Sequence, residues 1–217
     1  MSKLKSRRKS RAEAGKTLYN DRKDIIRQAA GKIFLKKGFL ATKLNDIAEE
    51  AKMDRASLYY YVGSKQDLYE DIFSTVVGDN IKLAKAISEE DIPAPEKLAK
   101  LMTALMASFE DKYPYYYIFV QEDLKKIESM QDPKNDKWLK TSKELSKEYF
   151  DIVNGVITQG MESGEIRSLL PPRLIAHSLI GMMTSSSQWF RPNGIMTSKE
   201  IGTAMAKMVL EGLSNAK

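Results

Sequence analysis

The chain of 217 residues contains no cysteine and one histidine, His177. Without cysteine there can be no disulfide, zinc–thiolate site or thiol nucleophile, and the composition fits a reducing compartment. His177 falls mid-helix with no carboxylate or nucleophile beside it in sequence. General-base chemistry needs such a partner, and a lone helical histidine is most often packed or solvated. No spacing suits a metal, and neither a glycine-rich phosphate loop nor a nucleophile motif is present. The adjacent acids Glu89-Glu90 and Glu122-Asp123 read as solvated faces. An enzyme is therefore not expected, and neither is a cofactor or a metal. No apolar run approaches the ~20 residues of a membrane span. The charged N-terminus is not followed by the apolar stretch of a secretory signal. The expectation is a cytoplasmic protein without a membrane partner.

What is present is ordinary in amount and uneven in placement. A chain of this length can bury the cores of one small and one medium domain. Its formal charge is +6. Up to Lys23, nine basic residues face only Glu13 and Asp21, a local excess of +7 that leaves −1 for the rest. Such a run reads as a solvated, flexible arm, and it can also add affinity for a polyanion by displacing counterions.

The most informative stretch is Thr42–Lys65, TKLNDIAEEAKMDRASLYYYVGSK. Leu44, Ile47, Ala48 and Ala51 recur at the spacing of one buried helix face. Thr42 is placed to cap that helix. Met53 falls in the tight turn that follows. The second short helix, Asp54 to Tyr61, has one clearly inward residue, Leu58. A helix that buries so little, and shows Arg55, Ala56, Ser57, Tyr59 and Tyr60, suits a DNA major groove. The alternative is a small helical hairpin with a solvated face.

The stretch resembles the DNA-binding domain of the TetR family of transcriptional repressors, in the pattern T-x-x-x-I-A-x-x-A-G-V-S-x-G-x-L-Y-x-H-F-x-S-K-x-x-L. Thr42, Ile47, Ala48, Ala51, Leu58, Tyr59, Ser64, Lys65 and Leu68 match it. The preceding helix, Asp21 to Lys37, matches through Phe34 and the terminating Gly38-Phe39. The likeness covers roughly residues 21 to 73. Lys52, Ala56, Tyr61, Val62 and Gly63 depart from the pattern. Lys52 replaces a turn glycine, so the turn must tolerate a side chain or carry strain. The resemblance implies an all-α fold, with a three-helix DNA-binding domain followed by a helical effector-binding and dimerisation domain. The expected boundaries are an arm over 1–20, the helix-turn-helix domain over 21–66 and the second domain over 67–217. It also implies a homodimer on a palindromic DNA operator. Arg55, Ser57 and Tyr59 would meet the groove beside the small Ala56, and Thr42, Tyr60 and Lys65 would grip phosphates.

Beyond the motif the chain reads as helices separated by prolines. Ser64 caps a long helix to about Ile87, with Leu68, Ile72, Val76 and Leu83 inward. Further helices are expected from Pro95 to Asp111, from Pro114 to Met130, from Pro133 to Ser163, from Pro171-Pro172 to Phe190, and from a Ser198 cap to Leu213. About nine helices result. In the last two, Ile175, Leu179, Met205, Met208 and Val209 recur at helical spacing and are expected at the dimer interface.

Two features point to an effector. The run Tyr113-Pro114-Tyr115-Tyr116-Tyr117-Ile118-Phe119 cannot face one way on a helix, and tyrosine suits a pocket wall with a polar tip. Met102, Met106, Met161, Met182 and Met183 could supply pliable walls, although each also reads as core. The segment Trp189-Phe190-Arg191-Pro192-Asn193-Gly194 resembles the W-[FY]-R-P-x-G of TetR-type regulators of fatty-acid and sterol breakdown, several of which sense coenzyme A thioesters. Indole stacking and a guanidinium fork would suit the nucleotide end. The alternative is a helix end packed by Trp189 and capped by Arg191. The expected effector is an acyl-coenzyme A or another small apolar molecule, lined by Tyr113, Tyr116, Phe119, Met183, Trp189 and Arg191. The competing function is a nucleoid- or membrane-associated interaction protein that uses the basic arm and has no effector.

Overall fold

The computed structural model describes residues 2–112 and 133–213, and every described element is helical. The order is α1 (Ser2–Lys37), α2 (Leu44–Glu50), α3 (Arg55–Tyr61), α4 (Lys65–Ser88), α5 (Ala94–Asp111), α6 (Pro133–Glu162), α7 (Pro172–Trp189) and α8 (Ser198–Leu213). The expected helix over 114–130, with Tyr113, Tyr116 and Phe119, lies outside the described residues. Two compact units result, one through Ile72 and one from Phe73, so their boundary falls within α4 rather than at its first turn.

In the first unit, Ile26, Ala29, Ala30, Ile33 and Phe34 form the buried stripe of α1. The helix begins at Ser2, far ahead of the Asp21 start expected from periodicity. No proline interrupts residues 2–37. Gly38, at φ 78°, ends the helix, and its N–H donates to the Phe34 carbonyl. Phe39 then packs against both Phe34 and Tyr69, with centroids 5.3 and 5.2 Å away. Ile47, Ala48, Leu58, Leu68, Tyr69 and Ile72 close the core. A carboxylate network ties α1 to α4: Arg27 donates to both oxygens of Asp71 at 2.7 and 3.2 Å, and Lys23 adds a third contact at 3.2 Å. Burial pushes the Asp71 carboxyl upward, but the hydrogen bond from Arg27 and the nearby charges outweigh it and hold the group below its usual range.

In the second unit, α5 and α8 pack closely. A Cβ on Gly202 would lie 2.9 Å from the Thr103 Cα, so only glycine allows this approach. The core runs from Ala84 and Ile87 through Leu98 and Leu101 to Val153, Val156 and Ile157, and on to Ile175, Ala176 and Leu179. Beside it, Met102, Met106, Phe109, Met183, Phe190 and Ala206 form an adjoining cluster. In α4 the inward residues are Val76, Ile81, Ala84 and Ile87. Leu83, expected inward, is 48% exposed because it stands off that stripe. Lys97 is buried and caps the end of α4 by donating to the Ser88 carbonyl at 2.9 Å, where a positive charge meets the negative end of the helix. Thr197 rather than Ser198 caps α8, with its hydroxyl accepting from Glu200 N–H and its own N–H donating to the Glu200 carboxylate.

Candidate functional site

The geometry of α3 follows from a cap and a plug. Asp54 caps the helix, accepting from Ser57 N–H at 2.8 Å and from the Ser57 hydroxyl at 2.6 Å. The hydroxyl bond is the main reason the Asp54 carboxyl titrates below its usual range. Leu58 is fully buried and anchors the helix, while Arg55, Ala56, Tyr59 and Tyr60 face outward. The turn before α3 holds Lys52 at φ 54°, a left-handed conformation that disfavours a residue with a Cβ.

The outward residues are ordered by local contacts. Arg55 lies one helical turn from Tyr59, donates to its hydroxyl at 3.4 Å and sits 5.3 Å from its ring centroid. Ser57 spends its hydroxyl on Asp54, which makes it part of the cap before it can be a reader. Tyr60 is 75% exposed. A feature absent from the sequence reading is Tyr19 of α1, whose ring meets Tyr61 at 5.0 Å and Tyr60 at 6.4 Å. Its only signal in the sequence was an aromatic residue in a basic run.

Two residues expected at phosphates stand differently. Thr42 is buried, and its hydroxyl donates to the Gly38 carbonyl at 2.7 Å instead of capping α2. The α2 cap is Lys43, whose N–H donates to Asp46 at 2.9 Å. Lys37 pairs with the same carboxylate at 2.8 Å, and that bond is the main reason Asp46 titrates low. The Lys65 ammonium donates to three backbone carbonyls, Phe39 at 2.6, Thr42 at 2.9 and Leu40 at 3.1 Å, above the Phe39 ring. All three N–H groups are committed, so Lys65 locks the turn between α1 and α2 rather than presenting a free cation.

In the second unit Met183 lines an apolar void of about 20 Å³ with Leu98, Met102, Leu105, Tyr149 and Leu179. That is room for about one water molecule. The helix-end motif divides otherwise than expected. Phe190 is the buried residue, Trp189 is 54% exposed, and Arg191 donates to the carbonyls of Gln188 and Phe190 at 3.2 and 2.8 Å. Arg191 is therefore a helix cap, and the packing assigned to Trp189 in the capped alternative belongs to its neighbour. Trp189 and Arg191 do not line the Met183 void.

The expected interface residues divide in the same manner. Ile175 and Leu179 are buried within their own chain, and Met205 and Val209 pack partly against its core. Met208 is 63% exposed. It shares the outward row of α8 with Ala204 and Gly212, and nothing lies within 4 Å of a Cβ built on Gly212. His177 stacks 4.4 Å from Phe150. Among the described residues no cluster could hold a metal, and no helix is long and apolar enough to cross a membrane.

Comparison with known proteins covers both units. The family model described as bacterial regulatory proteins, tetR family, matches residues 26–72, and that of the tetracyclin repressor-like C-terminal domain matches 91–213. The transcriptional repressor KstR2 of Mycolicibacterium smegmatis is 24% identical over 196 residues, which cover 90% of this chain and 92% of the relative. The crystal structure of PfmR from Thermus thermophilus superposes with a TM-score of 0.76 at 27% identity, covering 88% of this chain and 99% of that one. The structure of AibR in complex with isovaleryl coenzyme A and operator DNA has a TM-score of 0.70 at 20% identity, covering 86% and 97%. Two matching family models, one over each unit, and a relative aligned along nearly the whole length place the sequence: the chain belongs to the TetR family of bacterial regulatory proteins.

Proposed function

We propose that the chain is a ligand-responsive transcriptional repressor that binds a palindromic operator as a homodimer and is released by a small apolar effector. The observation that carries this reading is α3, a capped helix held by Leu58 that turns Arg55, Ala56, Tyr59 and Tyr60 to solvent. Arg55 and Tyr59 read base edges, and Tyr60 reaches the backbone. Thr42 and Lys65 shape the turn that presents them. A basic start to α1 adds sequence-independent affinity. The test is selection of duplexes from a random-sequence library, followed by Arg55→Ala. Loss of about 1–3 kcal/mol on the selected duplex and little on random DNA is expected of a base contact. Equal loss on both would remove Arg55 from the reading surface.

Dimerisation through α7 and α8 supplies the second reading helix at about 34–36 Å. Met208 is the interface residue best supported, because it is apolar, exposed and beside Ala204 and Gly212. Met208→Glu is expected to give a monomer by sedimentation that has lost the selected duplex. A dimer that persists places the interface elsewhere.

The effector's apolar part is best supported at the Met183 void. Its walls are methionine, leucine, valine, isoleucine and tyrosine, and unbranched methionines repack at low cost. The void must grow to take a ligand, so binding favours a second conformation of this unit and can shift DNA affinity. An acyl-coenzyme A is the favoured class, in view of the AibR complex. Calorimetry with a matched fatty acid and its thioester decides this. Equal affinity for the two, with Arg191→Ala changing neither, would favour a plain hydrophobic inducer.

A further inference from the structure

Three tyrosine rings meet where α1 passes the C-terminal end of α3. Tyr19 lies in tilted contact 5.0 Å from Tyr61 and edge-on 6.4 Å from Tyr60. Tyr60 and Tyr61 are themselves perpendicular, at 86° and 5.1 Å. Adjacent residues on a helix point about 100° apart. The two rings nevertheless lie in contact, and Tyr19 touches both from a separate helix. Tyr60 is 75% exposed with both contacts in place, and an exposed ring hops between staggered rotamers unless its contacts favour one. Edge contacts from Tyr19 and Tyr61 favour one rotamer of the Tyr60 ring before DNA arrives, and this lowers the ordering cost of binding. Through Ser2–Lys37 the helix is unbroken, so Tyr19 lies on the same rod as its basic start.

We propose that Tyr19 is a positioning residue for DNA reading: its ring braces Tyr60 and Tyr61 at the end of α3 and couples α1 to the reading helix. The inference rests on the DNA-reading function proposed above. It assigns a role in specificity to a residue outside the helix-turn-helix motif.

The test uses the full chain with Tyr19→Ala and Tyr19→Phe. The probes are the duplex that the wild-type protein enriches from a random-sequence library and a random duplex of equal length. Tyr19→Ala is expected to weaken the enriched duplex about 3- to 10-fold, the range that loss of aromatic contacts gives. On random DNA it is expected to change affinity less than about twofold, because no charge has been removed. Tyr19→Phe keeps the ring and both affinities. A second readout needs no DNA. In protein carrying ring-labelled tyrosine, the Tyr60 and Tyr61 signals, assigned with Tyr60→Phe and Tyr61→Phe, move in Tyr19→Ala and stay in Tyr19→Phe. Unmoved ring signals, or parallel losses on both duplexes, would overturn the brace. If the wild-type chain enriches no sequence, the DNA-reading function fails, and the ring signals still decide whether Tyr19 holds its two neighbours.

Discussion

In the unit that ends at Ile72, α3 commits one side chain, Leu58, to the core and leaves its other residues partly or fully open to solvent. In the unit that begins at Phe73, α7 does the reverse with its chemistry. Ile175, Ala176, Leu179 and Met183 are buried, and Leu179 and Met183 also line an apolar void of about 20 Å³. A surface that reads a rigid polymer can be complete in the free protein, since its residues need only be presented. The apolar side chains of α7 that face inward are packed against their neighbours, as the cost of exposing apolar surface favours. The first unit therefore shows side chains on its surface, and the second spends its apolar side chains on packing.

The contrast breaks if the two units unfold as one, and Leu58→Ala tests that with the largest effect. Removing the single plug of α3 is expected to cost about 2–5 kcal/mol. Both tryptophans, Trp138 and Trp189, lie beyond Phe73, so their fluorescence reports the second unit alone. The expected result is an early loss of far-ultraviolet dichroism and of DNA binding, with an unchanged tryptophan midpoint. A shared shift of both signals would mean that the units are cooperative.

The converse change is Gly202→Val. Its Cβ would meet the Thr103 backbone at 2.9 Å and Met106 at 3.0 Å, forcing α8 away from α5. Overpacking of this kind costs about 1–3 kcal/mol. The tryptophan midpoint is expected to fall while the early dichroism transition stays in place.

Asp71 sharpens the comparison within the first unit. Its partners Arg27 and Lys23 come from α1, so Asp71→Asn is expected to cost about 1–2 kcal/mol at neutral pH, as for a partly buried charge-assisted bond. The sign of the pH dependence follows from the lowered carboxyl. The stabilisation is complete above the unfolded-state value, near pH 4, and disappears as pH falls through the lower folded-state value. Denaturant midpoints of wild type and variant are therefore expected to converge below about pH 4. A gap that stays constant down to pH 2 would show that Asp71 acts through shape rather than charge.

How much of this was legible in the sequence depends on the range of each interaction. The Asp54–Tyr61 helix and the Gly38 stop are written in neighbouring residues, and local spacing found them, whereas the strained turn at Lys52 stood out only against the glycine of the TetR pattern. Lys65 donates to carbonyls more than twenty positions back, a pairing that no local pattern announces. Thr42 was misassigned because its hydroxyl could turn forward to α2 or back to Gly38, and both lie within reach in sequence. Ile175 and Leu179 show a deeper limit. A stripe facing the chain's own core and one facing a partner have the same 3.6-residue period, so periodicity finds a buried face without saying what buries it. Phe190 and Trp189 are adjacent and both aromatic, and residue type alone does not say which one turns inward.

The smallest effect concerns backbone strain, and here too the units differ. Two non-glycine residues have positive φ among the described residues, Lys52 at 54° before the reading helix and Asn193 at 70° after α7. Asparagine tolerates this region because its short side chain bonds locally, whereas lysine gains nothing there. Lys52→Gly removes the clash of the Cβ but adds freedom to the unfolded chain, and the two partly cancel. A net gain of about 0.5–1 kcal/mol is expected in the first unit, and a smaller one for Asn193→Gly in the second. Lys52 is exposed and lies at the turn that aims α3. Glycine there would also let the reading helix swing more freely. Affinity for the selected duplex is therefore expected to fall slightly even as the dichroism midpoint rises. Differential denaturation of the two variants against wild type, paired with DNA titration, measures both quantities. If Lys52→Gly raises stability and affinity together, the left-handed lysine is a cost without a return. If stability rises while affinity falls, the strain is part of how α3 is held in its reading pose.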